Sequence, residues 1–144
     1  MANTNFFKAF EGLTSDGSQA NIRCMEETTA EGKVVKIEEI NQPNYSMFAK
    51  LIIMTDDNRR FEDIFNLGED KQKSMDYLTA HIKQLCKCVG IESKKEEWGS
   101  AELNSAINAV IKKGVKVKFR QSKSTGGNNL NITYICGVDE HIDF

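Results

Sequence analysis

The chain reads as a mainly β domain of five antiparallel strands, with two helices inserted between the third and the fourth. Three observations carry that expectation. Apolar residues alternate with polar ones, or form short apolar runs, at residues 33–40, 45–55, 59–67, 115–120 and 130–136, the signature of strands with a buried face. Between Gly68 and Gly114 the period lengthens to helical spacing, first at Met75, Leu78, Ile82, Leu85 and Val89, then at Leu103, Ile107, Val110 and Ile111. The joints hold residues that break regular structure: Pro43 among Asn41, Gln42 and Asn44, then Asp56-Asp57-Asn58, Gly90 and Gly114.

Taken in order, residues 1–31 form an arm whose Phe6, Phe7, Phe10 and Leu13 suit a short helix or strand. The main domain is expected over 32–138 and an acidic tip over 139–144. Pro43 ends the first strand, because it lacks an N–H for the ladder. The second strand is apolar on both faces for part of its length, as a central strand is. The third sets Phe61, Phe65 and Leu67 on one side against Arg60, Glu62 and Ile64 on the other. Glu69 and Asp70 complement the start of the first helix, and Ser100 is a candidate cap for the second. Trp98 lies in the charged connector between them and is read as capping the helices. Val115, Val117 and Phe119 then alternate with Lys116, Lys118 and Arg120, followed by a loop of turn-forming residues and a last strand.

With 144 residues the chain is long enough for one domain with a proper core. A formal net charge of -2 argues against a histone-like binder, so any affinity for nucleic acid must rest on local segregation of charge. That segregation exists: Lys112, Lys113, Lys116, Lys118, Arg120 and Lys123 occur with no acid among them. No apolar run is long enough to cross a bilayer, and the first residues lack the pattern of a signal peptide. A cytosolic protein is expected, with its four cysteines as reduced thiols. No nucleophile has a partnered base, no phosphate or dinucleotide fingerprint occurs, and the cysteine spacing suits no zinc site. Neither catalysis nor a cofactor or metal is expected.

Three strands, helix, then a two-strand hairpin is the order of an OB-fold barrel, whose closure would explain the apolar second strand. An open α+β sheet with both helices on one face is the alternative. The chain also resembles the small phage-encoded single-stranded DNA-binding proteins of OB fold. The likeness rests on that strand order and on KVKFRQSKSTGGNN in the basic fourth strand and its loop. It rests also on the tract GKVVKIEEINQPNYSMFAKLIIMTDDNRRFEDIFNLGE before a helix, and on the acidic end DEHIDF. It implies a protein of viral DNA replication or recombination, in the host cytoplasm.

A binder of unstacked strands needs cations for phosphates and flat rings for bases. The OB-fold groove crosses strands two and three and is walled by neighbouring loops. Those places hold Tyr45, Phe48, Lys50, Arg59, Arg60 and Phe61, with Lys116, Lys118, Arg120 and Lys123 from the fourth strand and its loop. Of the rings, Phe61, Phe65 and Phe119 also fit a core. Asp139, Glu140, Asp143 and Phe144 are the candidate contacts to other replication proteins, a role the resemblance implies. Single-stranded DNA is the expected ligand. An OB-like module binding another protein, or an RNA-binding OB domain, is the alternative.

Overall fold

Strand β1 (Thr28–Ile40) changes partner along its length, and the sheet is organised around that change. Its first part, Thr28 to Gly32, pairs with β4 (Val117–Lys123), and Lys33 to Ile40 pair with β2 (Phe48–Met54). Gly32 stands at the switch. A Cβ there would lie 2.8 Å from the Met54 carbonyl oxygen and from an Ile53 methyl carbon, so only glycine lets the strands cross so closely. A bulge between Val34 and Lys36 then leaves Val35 without a cross-strand partner. The extra residue keeps both Val34 and Ile37 turned to the core.

The computed structural model describes residues 7, 9–17, 28–40, 48–66, 70–93, 95–123 and 130–135. After β2 come β3 (Arg60–Asn66), helices α1 (Lys71–Cys88) and α2 (Ser100–Lys113), β4, and β5 (Leu130–Ile135). All pairings are antiparallel, and the strand order is β3-β2-β1-β4-β5. Helix α1 packs on β4 and β5, while α2 packs on β1 and α1. The mainly β architecture, with two helices between the third and fourth strands, is as the sequence predicts.

The closed barrel is not. Among the described residues no ladder joins β3 to β5, so both strands are edges of an open sheet. The edges are linked instead by side chains. The Tyr134 hydroxyl of β5 donates to Asp63 Oδ2 of β3 at 2.5 Å. Both side chains are buried, so the two strands meet through this side-chain contact rather than through backbone pairing.

The inner face of the sheet carries Val34, Ala49, Leu51, Ile53, Phe65, Val117, Phe119, Ile132 and Tyr134. Against them lie Met75, Leu78, Ile82 and Leu85 of α1 and Leu103, Ile107 and Val110 of α2. Phe7 and Phe10 join this same core. Ser15 pairs with Trp98 through both backbone groups, and Trp98 is buried, its indole N–H donating to Ser93 Oγ at 3.0 Å. Asp70 caps α1, its Oδ1 accepting from the Lys73 N–H at 3.1 Å. The cap of α2 is Gly99 rather than Ser100. Glu102 Oε1 accepts from the Gly99 N–H at 3.1 Å, satisfying one donor of the first turn. Gly114 ends α2 at φ +61°. Cys88 is in a disulfide, a correction to the reduced state expected of all four cysteines. Among the described residues Cys86 is the free thiol.

Candidate nucleic-acid interface

Strand register decides which side chains share a face. Lys118 lies opposite Glu31 and Arg120 opposite Thr29, while the intervening Phe119 turns inward against Ala30. On β2 and β3 the pairs Phe48–Asn66, Lys50–Ile64, Ile52–Glu62 and Met54–Arg60 take the same outer side. Lys33 and Glu38 of β1 pair with Met54 and Lys50 and so belong with them. One outer face therefore carries Lys33, Lys36, Lys50, Arg60, Lys118 and Arg120. Its carboxylates are Glu31, Glu38 and Glu62.

The cations of that face differ in their engagement. Over β1, β2 and β3 they form a linked ladder: Lys36–Glu38 at 2.9 Å, Arg60–Glu38 at 3.3 Å, Arg60–Glu62 at 3.1 Å and Lys50–Glu62 at 3.4 Å. The Lys36 ammonium, hydrogen-bonded to Glu38, holds that carboxyl below the ordinary range, and Arg60 and Lys50 add to the effect. Ile52 is on this outer side yet only 1% exposed, between the long side chains of Lys36 and Glu62 across the strands. Towards β4 the ladder stops. Among the described residues Lys33 and Lys118 have no ion pair, whereas Lys116, just before β4, is bound to Asp56 of the β2–β3 turn. That contact raises the Lys116 pKa, through the hydrogen bond first and the charge of Asp56 second.

Of the residues the sequence nominates, Phe48, Lys50, Arg60, Lys118 and Arg120 are brought to one face. Phe48 is half-buried, with Lys50 Nζ 5.9 Å from its ring centre. Phe61 is turned the other way. Its ring meets Phe119 edge to face at 5.1 Å, and Arg59 stands 5.6 Å over it. Arg59 itself is exposed in the turn, paired with Asp57 at 2.9 Å. Thr55 and Arg59 together hold the Asp57 carboxyl below its usual range. Tyr45, Asp139, Glu140, Asp143 and Phe144 lie outside the described residues, as does the loop after Lys123.

Two features escaped sequence reading. Lys33 and Lys36 join the outer face, which the sequence pattern of β1 does not single out because the bulge at Val35 shifts its phase. The other is a buried polar cluster. Asp63 Oδ2 lies 2.7 Å from His81 Nε2 of α1 as well as accepting from Tyr134. His81 stacks on Tyr77 with centroids 5.7 Å apart and meets the edge of Phe65 at 5.5 Å. Asp63 was available as a signal, since it falls in the apolar register of Phe61 and Phe65. The cluster is sealed inside the core, away from the outer face. No protein-family model matches the chain, and a search of curated proteins finds no match either.

Proposed function

We propose that this chain binds single-stranded DNA across the outer face of an OB-like sheet, with little sequence preference, in viral replication or recombination. The supporting observation is the register that gathers Lys33, Lys36, Lys50, Arg60, Lys118 and Arg120 on one face of a protein whose net charge is -2. Cations tracking a backbone, with a half-exposed ring beside them, are what a single strand requires. Phe48 is the ring of that face, and base stacking on it would tolerate any base. The strand order is that of an OB fold left open between β3 and β5, which supports the fold half of the reading.

Fluorescence anisotropy with labelled dT and rU oligomers tests the reading. Binding of dT should weaken with salt at a slope of about 0.7 per neutralised phosphate. Tighter binding of rU than of dT would move the reading to RNA. A folded protein that ignores dT at low salt would sink it. Neutralising Lys33 and Lys118, which have no ion pair among the described residues, by Lys33→Gln with Lys118→Gln should weaken binding to all sequences alike and lower the salt slope.

A further inference from the structure

A groove of about 610 Å³ lies between β1 and α2. Val35 and Ile37 line its strand side. Val35 is the bulge residue and is 42% exposed, so its side chain is delivered to the groove and not to the core. On α2, Ser105, Ala109 and Lys112 stand at positions i, i+4 and i+7, and Asn104, Asn108 and Ile111 repeat that spacing beside them. Two stripes of one helix therefore make the other wall. Along it the lining changes from polar, through the apolar Ala109 and Ile111, to cationic at Lys112.

Three observations select the occupant. Among the described residues no strand pairs with β1 beyond Gly32 on the β4 side. The end of α2 lies on that side, because it leads through Gly114 into β4, whose Val117 is opposite Gly32. The groove thus follows a strand edge, which suits an added strand. Next, Lys36 and Lys112 line it, and among the described residues no carboxylate does. Lys36 is shared with Glu38 at 2.9 Å, while Lys112 is exposed and has no ion pair among the described residues. Last, no aromatic ring among the described residues lines the groove, so a nucleobase would find no stacking plate there. We infer that the β1–α2 groove binds an extended segment of a partner protein in which acids alternate with apolar residues. The wall from Asn104 to Lys112 is about 12 Å long, which is about four extended residues. An apolar side chain of the partner enters between Val35 and Ala109, and a neighbouring carboxylate meets Lys112. Phe48, Lys50 and Arg60 of the outer face take no part, so the inference stands apart from DNA binding.

The test is NMR of the full chain titrated with the synthetic peptide Asp-Val-Asp-Leu-Asp-Val-Asp, and separately with the same peptide carrying Lys at each Asp. The acidic peptide should shift the Val35, Ala109 and Ile111 methyls and bind at least about tenfold more tightly than the basic one. In the complex an amide among residues 35–37 should exchange about tenfold or more slowly, as expected of a newly paired strand edge. Lys112→Glu, at an exposed position, should remove the preference for the acidic peptide, and Lys112→Arg should keep it. Val35→Asp, also exposed, should weaken the acidic peptide by about tenfold. Unchanged shifts in β4 and β5 check that each variant is folded. Equal binding of the two peptides, shifts that spare these methyls, or a preference that survives Lys112→Glu would overturn the inference. Shifts of the same methyls on adding dT oligomer alone would give the groove to nucleic acid. Shifts that grow with protein concentration alone would give it to a second copy, and either result overturns the inference.

Discussion

Asp63 concentrates more consequence than any other described residue. One carboxylate oxygen serves Tyr134 and His81, and it joins β3, β5 and α1 in the absence of a β3–β5 ladder. A buried hydrogen bond to a carboxylate is worth more than a neutral one. Tyr134→Phe, which removes only the hydroxyl, should therefore cost about 1.5–3 kcal/mol in urea unfolding. Asp63→Ala leaves two buried polar groups without their partner and should cost about 3–5 kcal/mol. A Tyr134→Phe cost below roughly 0.5 kcal/mol would show that the cluster is packing rather than a clasp.

The same burial sets the alkaline limit of stability. Burial, and then the charge of Asp63, raises the Tyr134 hydroxyl well above its ordinary value of 10.0, while burial lifts the Cys86 thiol from 9.0 to about 11. Both groups stay neutral in the folded chain after the unfolded chain has begun to release their protons. Their contribution is thus complete below pH about 9 and declines as pH rises, over about 9 to 11 for Cys86 and from about 10 upward for Tyr134. Urea midpoints should hold up to pH about 8.5 and then fall. In Cys86→Ala the fall should begin only near pH 10, where the Tyr134 contribution starts to decline.

At the scale of elements, the decisive feature is how β1 is shared. Gly32→Ala would press a methyl group against the Met54 carbonyl and an Ile53 methyl, and the carbonyl belongs to a paired backbone that cannot step aside. A cost of about 2–3 kcal/mol or more is expected. Gly114→Ala meets no atom within 4 Å and bears only the strain of its positive φ, so about 1 kcal/mol is expected. Equal losses in chemical denaturation would mean that the close crossing at Gly32 relaxes freely. The bulge at Val35 belongs to the same design, because it preserves the buried phase of β1 while turning one apolar side chain outward.

Across the whole molecule, the outer face is basic but partly self-neutralised. Glu38 and Glu62 occupy Lys36, Arg60 and Lys50, so a phosphate backbone crossing β2 and β3 must compete with carboxylates already in place. Removing one of them should help. On the proposed function, Glu38→Gln is expected to tighten dT binding by about 0.5–1 kcal/mol at low salt, with the gain shrinking as salt screens it. Phe48→Ala should weaken binding by about 1–3 kcal/mol with little loss of stability. An unchanged affinity in Glu38→Gln would indicate that the strand runs along β1 and β4 instead, past Lys33 and Lys118.

Alternation and helical spacing were enough to determine the order of elements, the inward side chains Phe61 and Phe65 of β3, Val117 and Phe119 of β4 and Ile132 and Tyr134 of β5, and the outward register of Lys118 and Arg120, because those depend on periodicity within a few residues. The stops at Gly90 and Gly114, and acids at the start of α1, were legible for the same reason, though not that Asp70 is the cap itself. The start of β1 was not. Thr28 to Glu31 show little alternation of their own, and they become strand by pairing with β4, nearly ninety residues later in the chain. Whether the sheet closes could not be read either, since closure depends on backbone pairing between β3 and β5, strands far apart in the chain. The same holds for the partners of each charge: only the fold brings Lys116 to Asp56, Arg60 to Glu38, and Asp63 to Tyr134 and His81. Sequence spacing carries the local periods of a chain, but contacts between distant segments are decided by tertiary packing.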